Sequence, residues 1–191
     1  MNYKYPAFQK LVEQLEEIPT IGKKTALKLA YTLSVENKIL ALNIAECIEE
    51  AVNKIRKCEI CNGISENVIC DICNDESRIY SGILCVVSNP KDVLTIEESN
   101  IFNGSYLVIE DVNNMNLNQI KSNLKKYNTK EIIFAFTPSL ASDTLIVYIE
   151  DKLQDSNIKF SKIAQGIPTG VGFDNVDKLS LIRSIESRVK I

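Results

Sequence analysis

The first third of the chain repeats apolar residues at helical spacing. Apolar positions every three or four residues predict one amphipathic helix at about residues 6–17, a second around residues 26–33 and a third at 36–56. A short turn at residues 18–25 joins the first two helices. The third helix carries a long apolar face, and we expect Cys47, which lies within it, to be a core residue.

The pattern changes after Arg78 to short, continuously apolar runs. These runs predict four strands, near residues 83–87, 106–109, 132–136 and 160–164, with helices at 90–99, 116–127 and 140–153 between them. Such an order is typical of a largely parallel sheet in an α/β layer. We expect Cys85, in the first of these strands, to be buried. A glycine-rich loop at 164–172, either a tight turn or a close approach to a ligand or partner, precedes a last helix at about 176–189.

Four of the six cysteines lie between these two parts. Cys58, Cys61, Cys70 and Cys73 form a C-x2-C-x8-C-x2-C pattern with polar turn residues in its centre. Two disulfides or a redox pair are alternative interpretations. Two C-x-x-C pairs this close together favour one shared tetrahedral metal. Four thiolates leave no open position for water, so we expect one structural Zn²⁺ per chain.

Composition narrows the classes of function. Of the 191 residues, 45% are apolar and 25% are charged, which is typical of a globular protein. No apolar run approaches the roughly 20 residues that cross a bilayer, and the start of the chain lacks the apolar core of a signal peptide. We therefore expect a cytoplasmic location, no membrane partner and reduced thiols. The chain has no histidine, which excludes catalysis by histidine.

The charge is unevenly distributed. The chain has a net charge of −3, but residues 1–57 hold 9 Lys/Arg against 7 Asp/Glu, a local excess of two positive charges. Lys23, Lys24 and Lys28 follow the turn at Gly22, and no acidic residue lies between positions 19 and 34. A helix–hairpin–helix turn would direct backbone N–H groups at a phosphate there, and DNA would be bound without base readout. An ordinary helix connection with solvated lysines is the alternative.

The predicted strand ends lack catalytic groups. Ser88 follows the first strand and Thr137 follows the third, so neither end carries the paired carboxylates that hold Mg²⁺. We interpret Asp92 and Asp143 as acidic residues at helix starts. The phosphate-binding glycine motifs are also absent from the sequence. We therefore expect no enzymatic activity from the sheet.

The order of these parts resembles the bacterial RecR family of recombination mediators. Five segments carry the resemblance over nearly the whole chain: residues 18–26 in the hairpin, the four cysteines, residues 84–87 in the first sheet strand, 137–139 in a later turn and 163–170 in the C-terminal loop. The resemblance implies an α+β protein of several parts. These are a helix–hairpin–helix domain at 1–57, a C4 zinc finger at 58–73, a Toprim-like α/β domain with a mostly parallel sheet at 78–166, and a C-terminal loop and helix at 167–191.

The resemblance also implies a function. A member of this family would be a non-enzymatic DNA-repair protein that forms a homotetrameric ring and acts with RecO and RecF to load RecA onto single-stranded DNA at gaps. Gly22, Lys23, Lys24 and Lys28 would contact DNA irrespective of its sequence. The alternatives are a Toprim-type metal-dependent nuclease or primase, and a structural zinc module that binds no nucleic acid.

The chain departs from the family pattern at several positions. The family usually has glycine at Thr20 and proline at Lys23, and it usually has acidic residues where Ser88 and Ala141 stand. We therefore expect the hairpin to reach its turn without the freedom of glycine. Any partner contact made by the usual Toprim acids must be made by other residues here.

Overall fold

The computed structural model describes residues 4–111, 115–154, 157–164 and 166–188. The chain divides into two compact units, Met1–Ile55 and Arg56–Ile191. None of the described helices is long and apolar enough to span a bilayer.

The first unit is helical. Its helices are α1 (Pro6–Glu16), α2 (Lys23–Tyr31) and α3 (Lys38–Lys54), with a π-helical turn at Thr32–Glu36. The core lies between α1 and α2, where Val12 packs against Ala26 and Ala30. The two alanines have no side chain beyond Cβ, so the two helices approach closely.

Helix α3 corrects one expectation from the sequence. Asn37 caps its start by accepting a hydrogen bond from the Leu40 N–H at 2.9 Å, and the helix has no buried residue. Cys47 is exposed, so its prediction as a core residue was wrong. The apolar spacing predicted an amphipathic helix correctly, but no described residue of the first unit covers its apolar face.

The described residues of the second unit form two sheets. The elements before the main sheet are β1 (Arg56–Lys57), β2 (Ile64–Ser65), α4 (Asp71–Asn74) and α5 (Glu76–Tyr80). The rest are β3 (Ile83–Val87), α6 (Pro90–Glu98), β4 (Ser105–Val108), α7 (Leu117–Lys126), β5 (Glu131–Phe134), α8 (Leu140–Lys152), β6 (Lys159–Lys162) and α9 (Lys178–Glu186), with a 3₁₀ turn at Phe173–Asn175. Strands β1 and β2 form an antiparallel hairpin.

The main sheet is parallel throughout, as the apolar runs predicted. Its strand order is β4-β3-β5-β6, so β3 and β5 are central and β4 and β6 are edges. One face packs against α7 and α8 around Phe134 and Ile132. The other packs against α6, where Cys85 is buried as expected. Helices therefore cover both faces, which explains why β3, β4 and β5 are largely apolar on both sides.

A half-buried charge network joins α5 and α6 to edge strand β4. The Arg78 guanidinium donates two hydrogen bonds to the Glu97 carboxylate, at 2.9 and 2.7 Å, and Tyr106 donates its hydroxyl to the same carboxylate at 2.7 Å. Burial alone would raise the pKa of Glu97, but these donors hold that pKa below its ordinary value. Burial and the carboxylate together raise the pKa of Tyr106.

The network predicts that removal of the Glu97 charge lowers stability by an amount that depends on pH. Because the pKa of Glu97 is lowered by folding, its contribution is present above the ordinary value of 4.5 and is lost as the pH falls through the folded-state value. Glu97→Gln should lower the free energy of unfolding by about 1 kcal/mol at pH 7, because it removes hydrogen bonds to a charged group. The partial exposure of Glu97 to water reduces the contribution of those bonds.

Urea denaturation across pH measures this effect. The deficit of Glu97→Gln should shrink as the pH falls below 4.5 and through the lower folded-state pKa, because the wild-type carboxylate is then protonated as well. Glu98→Gln, at the exposed neighbouring position, is the control and should match wild type. A deficit that is constant from pH 7 to the acid limit would contradict the role of the Glu97 charge.

Candidate metal centre and nucleic-acid interface

The structure brings four cysteine sulfurs together. One ligand atom from each of Cys58, Cys61, Cys70 and Cys73 lies within 4.8 Å of the others, and all four residues are buried. The Sγ atoms of Cys61 and Cys70 are 3.6 Å apart. A tetrahedral zinc with Zn–S bonds of about 2.3 Å has S···S edges of about 3.8 Å, so the cluster has the dimensions of a zinc site.

Two turns of backbone build the cluster. The first closes through a hydrogen bond from the Cys58 N–H to the Gly63 carbonyl at 2.8 Å, next to the β1–β2 hairpin. Asn62 adopts a left-handed φ of 60° within this turn. A Cβ on Gly63 would lie 3.2 Å from the Cys61 sulfur, so glycine allows this close approach. The second turn places Cys70 at the start of α4 and Cys73 inside that helix.

Backbone amides point at the sulfurs. The Gly63 N–H donates to the Cys61 Sγ at 3.4 Å, and the Cys70 N–H donates to the Cys58 Sγ at 3.3 Å. Donors of this kind stabilise negative sulfur, because a hydrogen bond to the charged form favours that form. The donor set therefore suits thiolate ligands rather than buried thiols.

The electrostatics of the cluster also favour a cation. With no cation, hydrogen bonds from Cys61 and Cys73 lower the pKa of Cys70 to about 2. The neighbouring sulfur of Cys70 raises the pKa of Cys61 to about 12, and Cys61 and Cys70 raise that of Cys73. Ionised sulfurs this close together repel one another, whereas a divalent cation allows all four to ionise. The residues present fit zinc.

The cysteine turns are bonded to the edge of the main sheet. The Val108 N–H, at the end of β4, donates to the Cys61 carbonyl at 2.8 Å, and the Asn62 side-chain amide donates to the Val108 carbonyl at 3.2 Å. Ile72, from α4, packs against both the cysteine cluster and the core of the sheet. Sequence reasoning missed the role of Asn62, because its partner is 46 positions away and no local pattern indicates the pair.

The predicted DNA-binding residues lie together at the start of α2. Gly22 is the N-cap, and it has no side chain that could accept the N–H groups of the first turn. Lys23 and Lys24 occupy that turn, Lys28 follows one turn later, and all are exposed. The first turn contains no acidic residue. Unsatisfied amides, a positive helix end and added lysines together favour an anion.

The turn before α2 is strained at Thr20. The Ile21 N–H donates to the Ile18 carbonyl at 3.1 Å, Pro19 is the second residue of the turn, and Thr20 is the third, with φ at 75°. This is the pattern of a type II turn, whose third position demands a positive φ and favours glycine. A β-branched residue is a clear outlier in that region. As the sequence predicted, the turn is formed without a glycine, and Thr20 takes the positive φ instead.

Among the described residues, the carboxyl ends of β3 and β5 hold no carboxylate pair. Glu110 and Asp111 follow β4, and Glu110 forms an ion pair with Lys57. Ser139 and Ser142 form a reciprocal capping box at the start of α8. Asp143 follows in the same first turn, and Lys162 donates a hydrogen bond to it at 2.5 Å, which lowers the pKa of Asp143. Asp92 lies in the first turn of α6, as expected. Within the described ranges, the cysteines are the only group of three or more potential metal ligands.

Comparison with known proteins agrees with this geometry. Three family models match: the RecR helix-hairpin-helix over residues 8–52, the RecR four-cysteine zinc finger domain over 55–75 and the Toprim domain over 82–164. The chain is 50% identical over 184 residues to the recombination protein RecR of Campylobacter jejuni subsp. doylei, with 96% of each chain covered. It is 49% identical over 183 residues to that of Helicobacter pylori strain Shi470, with 96% of this chain and 94% of the relative covered.

These matches confirm the predicted fold class and the zinc cofactor. The zinc-finger model spans all four clustered cysteines, and the Toprim model spans the four parallel strands. The contacts of Gly22, Lys23, Lys24 and Lys28 with DNA stay a prediction, although these residues lie inside the region matched by the helix-hairpin-helix model.

The metal site predicts zinc content that depends on the clustered cysteines. Elemental analysis of the purified chain should find about one zinc per molecule, and Cys73→Ser should lose most of it together with thermal stability, because three thiolates close the site poorly. Cys47→Ser is the matched control, since Cys47 is exposed on α3, and it should keep the metal. Zinc-free wild type, or full zinc in Cys73→Ser, would rule out this site.

The strained turn predicts a gain of stability on mutation to glycine. Thr20→Gly should raise the local stability of α1 and α2 by about 0.5–1 kcal/mol, because relief of a left-handed φ outweighs the added freedom of the unfolded chain. Native-state hydrogen exchange of the α1 and α2 amides measures the change. Thr25→Gly, the same substitution inside α2, should instead lower stability by a few tenths of a kcal/mol. Equal effects at both positions would show that Thr20 is unstrained.

Proposed function

The chain belongs to the RecR family of recombination proteins, and on that premise we propose that it is a non-catalytic DNA-binding protein of recombinational repair. On this proposal it acts in the cytoplasm with RecO and RecF to load RecA at single-stranded gaps. The observation that carries the proposal is the start of α2, where an uncapped helix end carries three exposed lysines without an acidic residue in its first turn.

The proposed DNA contact is a phosphate clamp. The backbone N–H groups that follow Gly22 donate hydrogen bonds to a phosphate oxygen, and Lys23, Lys24 and Lys28 add positive charge around it. Such a contact reads no base edge, so binding is independent of DNA sequence and sensitive to salt. Sequence independence suits a protein that must act wherever a gap arises.

We propose that Cys58, Cys61, Cys70 and Cys73 each supply one thiolate to a structural zinc. Four protein ligands leave no position for a substrate, so the metal stabilises the fold and takes no part in a reaction. The backbone amides of Gly63 and Cys70 stabilise the thiolates, and the carbonyl of Cys61 accepts a hydrogen bond from the edge strand.

The proposed role of the Toprim-like sheet is partner binding. A metal-dependent nuclease or primase needs carboxylates at the strand ends, and this chain has Ser88 and Ala141 where its resemblance to the family leads us to expect acids. Of the acids that lie at the strand ends, Asp143 forms an ion pair with Lys162 and Glu110 forms one with Lys57. This arrangement supports a surface for RecO or RecF over a catalytic site.

A homotetrameric ring is supported by two apolar faces. On α3, Ile39 is 75% exposed and Val52 is 76% exposed, although both are large apolar residues. On α9, Leu179, Ile182 and Ile185 are each more than half exposed. On this proposal each face pairs with the same face of another copy about a two-fold axis, and two such interfaces join four copies, whereas one would give a dimer.

The DNA-binding proposal predicts a weaker dependence of affinity on salt after mutation. Lys23→Ala combined with Lys24→Ala should reduce the affinity for a fluorescent oligothymidylate and flatten the plot of log K against log salt by about 0.7 for each lost contact on single strands. Fluorescence anisotropy across a salt series measures both quantities.

The control is Lys10→Ala combined with Lys38→Ala, which removes the same charge from exposed positions on α1 and α3. This variant should keep the wild-type slope, because its lysines lie outside the proposed clamp. Identical slopes for both double variants would refute a specific role for Lys23 and Lys24.

A further inference from the structure

A groove lined by lysines lies at the amino-terminal end of the main sheet. It has a volume of about 710 Å³ and is bounded by the ends of α7 and α8 and by the residues that lead into β5 and β6. Four lysines line it: Lys121, Lys125, Lys130 and Lys152. It lies at the opposite end of the strands from Ser88 and Asp143, and it belongs to a different unit from the proposed DNA clamp.

The groove carries positive charge, whereas the chain as a whole is negatively charged. The chain has a net charge of −3, yet the described residues that line the groove include no carboxylate. Lys152 contacts Asp151 at 3.3 Å and lies 5.6 Å from the Tyr148 ring centroid. Lys121, Lys125 and Lys130 have no carboxylate within 4.0 Å among the residues described.

This clustering of lysines costs stability in the free chain. Lys121 and Lys125 are four residues apart on α7, so their ammonium groups share one side of the helix and repel each other. A bound anionic partner would convert that repulsion into attraction. An arrangement that is unfavourable alone and favourable with an anion is typical of a recognition site.

The floor of the groove is aliphatic. Leu124 and Leu153 are buried members of the sheet core, and Ile158 packs against that core while half-buried. No described lining residue has an aromatic ring. Grooves for single-stranded nucleic acid combine cations with aromatic rings on which bases stack. A lysine rim over an aliphatic floor instead suits a ligand that carries carboxylates on both sides of an apolar side chain.

We propose that this groove binds an acidic peptide segment of a partner protein. Carboxylates of the segment contact Lys121, Lys125 and Lys130, and one apolar side chain between them covers Leu124 and Ile158. The Lys152 ammonium stays beside Asp151 and closes one end of the groove. This surface is additional to the proposed DNA clamp and does not depend on it.

Fluorescence anisotropy with the full-length, zinc-loaded chain tests this proposal. The probe is a fluorescein-labelled peptide with aspartates on both sides of a single phenylalanine. Lys125→Glu combined with Lys130→Glu should weaken peptide binding at least about tenfold, a change of about 1.4 kcal/mol. Lys91→Glu combined with Lys178→Glu, at exposed positions elsewhere in the same unit, should remain within about twofold of wild type by the same measure.

Two further arms separate the possible occupants. Replacing the phenylalanine of the probe with serine should weaken binding to wild type, because the aliphatic floor then loses its partner. A labelled oligothymidylate should bind wild type and the groove variant equally. Absence of peptide binding, equal peptide binding by both lysine variants, or a loss of oligothymidylate binding that matches the loss of peptide binding would each overturn the proposal.

Discussion

Repulsion among four buried sulfurs is the constraint on which the second unit depends. Thiolates this close together are stable only around a cation, and the backbone that carries them is fixed once the cation is bound. The turn at Cys61 then presents its carbonyl to the Val108 N–H, and Asn62 completes the contact from its side chain. The metal therefore acts through the protein backbone on an edge strand of the sheet.

The cysteine turns also protect the edge strand β4. An exposed strand edge offers unpaired backbone groups to other chains, and proteins usually cover it. Here the cysteine turns occupy the end of β4, while the half-buried Arg78–Glu97 pair holds Tyr106 near the middle of the same strand. The sheet gains a protected edge. What remains is a rigid layer whose ends serve for recognition.

Sequence reasoning predicted the parts of the chain that follow local rules. Helix α1 and strand β3 were placed to within one residue at each end, because apolar periodicity and continuous apolar runs are strong signals. The spacing of the cysteines alone predicted that they lie together, since each C-x-x-C turn brings its two sulfurs close to each other. The two-residue strands β1 and β2 were missed, because so short a hairpin is defined by the turn it closes and has no periodicity of its own.

Other features depended on information that a single sequence does not contain. Cys47 was assigned to a core because an amphipathic pattern identifies the apolar face of a helix. The pattern does not show whether residues of the same chain pack against that face. The pairs Asn62–Val108 and Arg78–Glu97 join positions far apart in the chain. The lysines of the groove come from two helices and a strand entrance, so only the fold brings them to one surface.

The hydrogen exchange of two amides, measured with and without zinc, tests the central claim most directly. The Val108 N–H bonds to the Cys61 carbonyl, whereas the Ala135 N–H bonds to the Val86 carbonyl inside the sheet. Removal of zinc should release the cysteine turns, so the Val108 amide should lose most of its protection while Ala135 keeps its own. Unchanged protection of Val108 in the zinc-free chain, or an equal loss at both amides, would contradict the claim that the metal acts on the edge of the sheet.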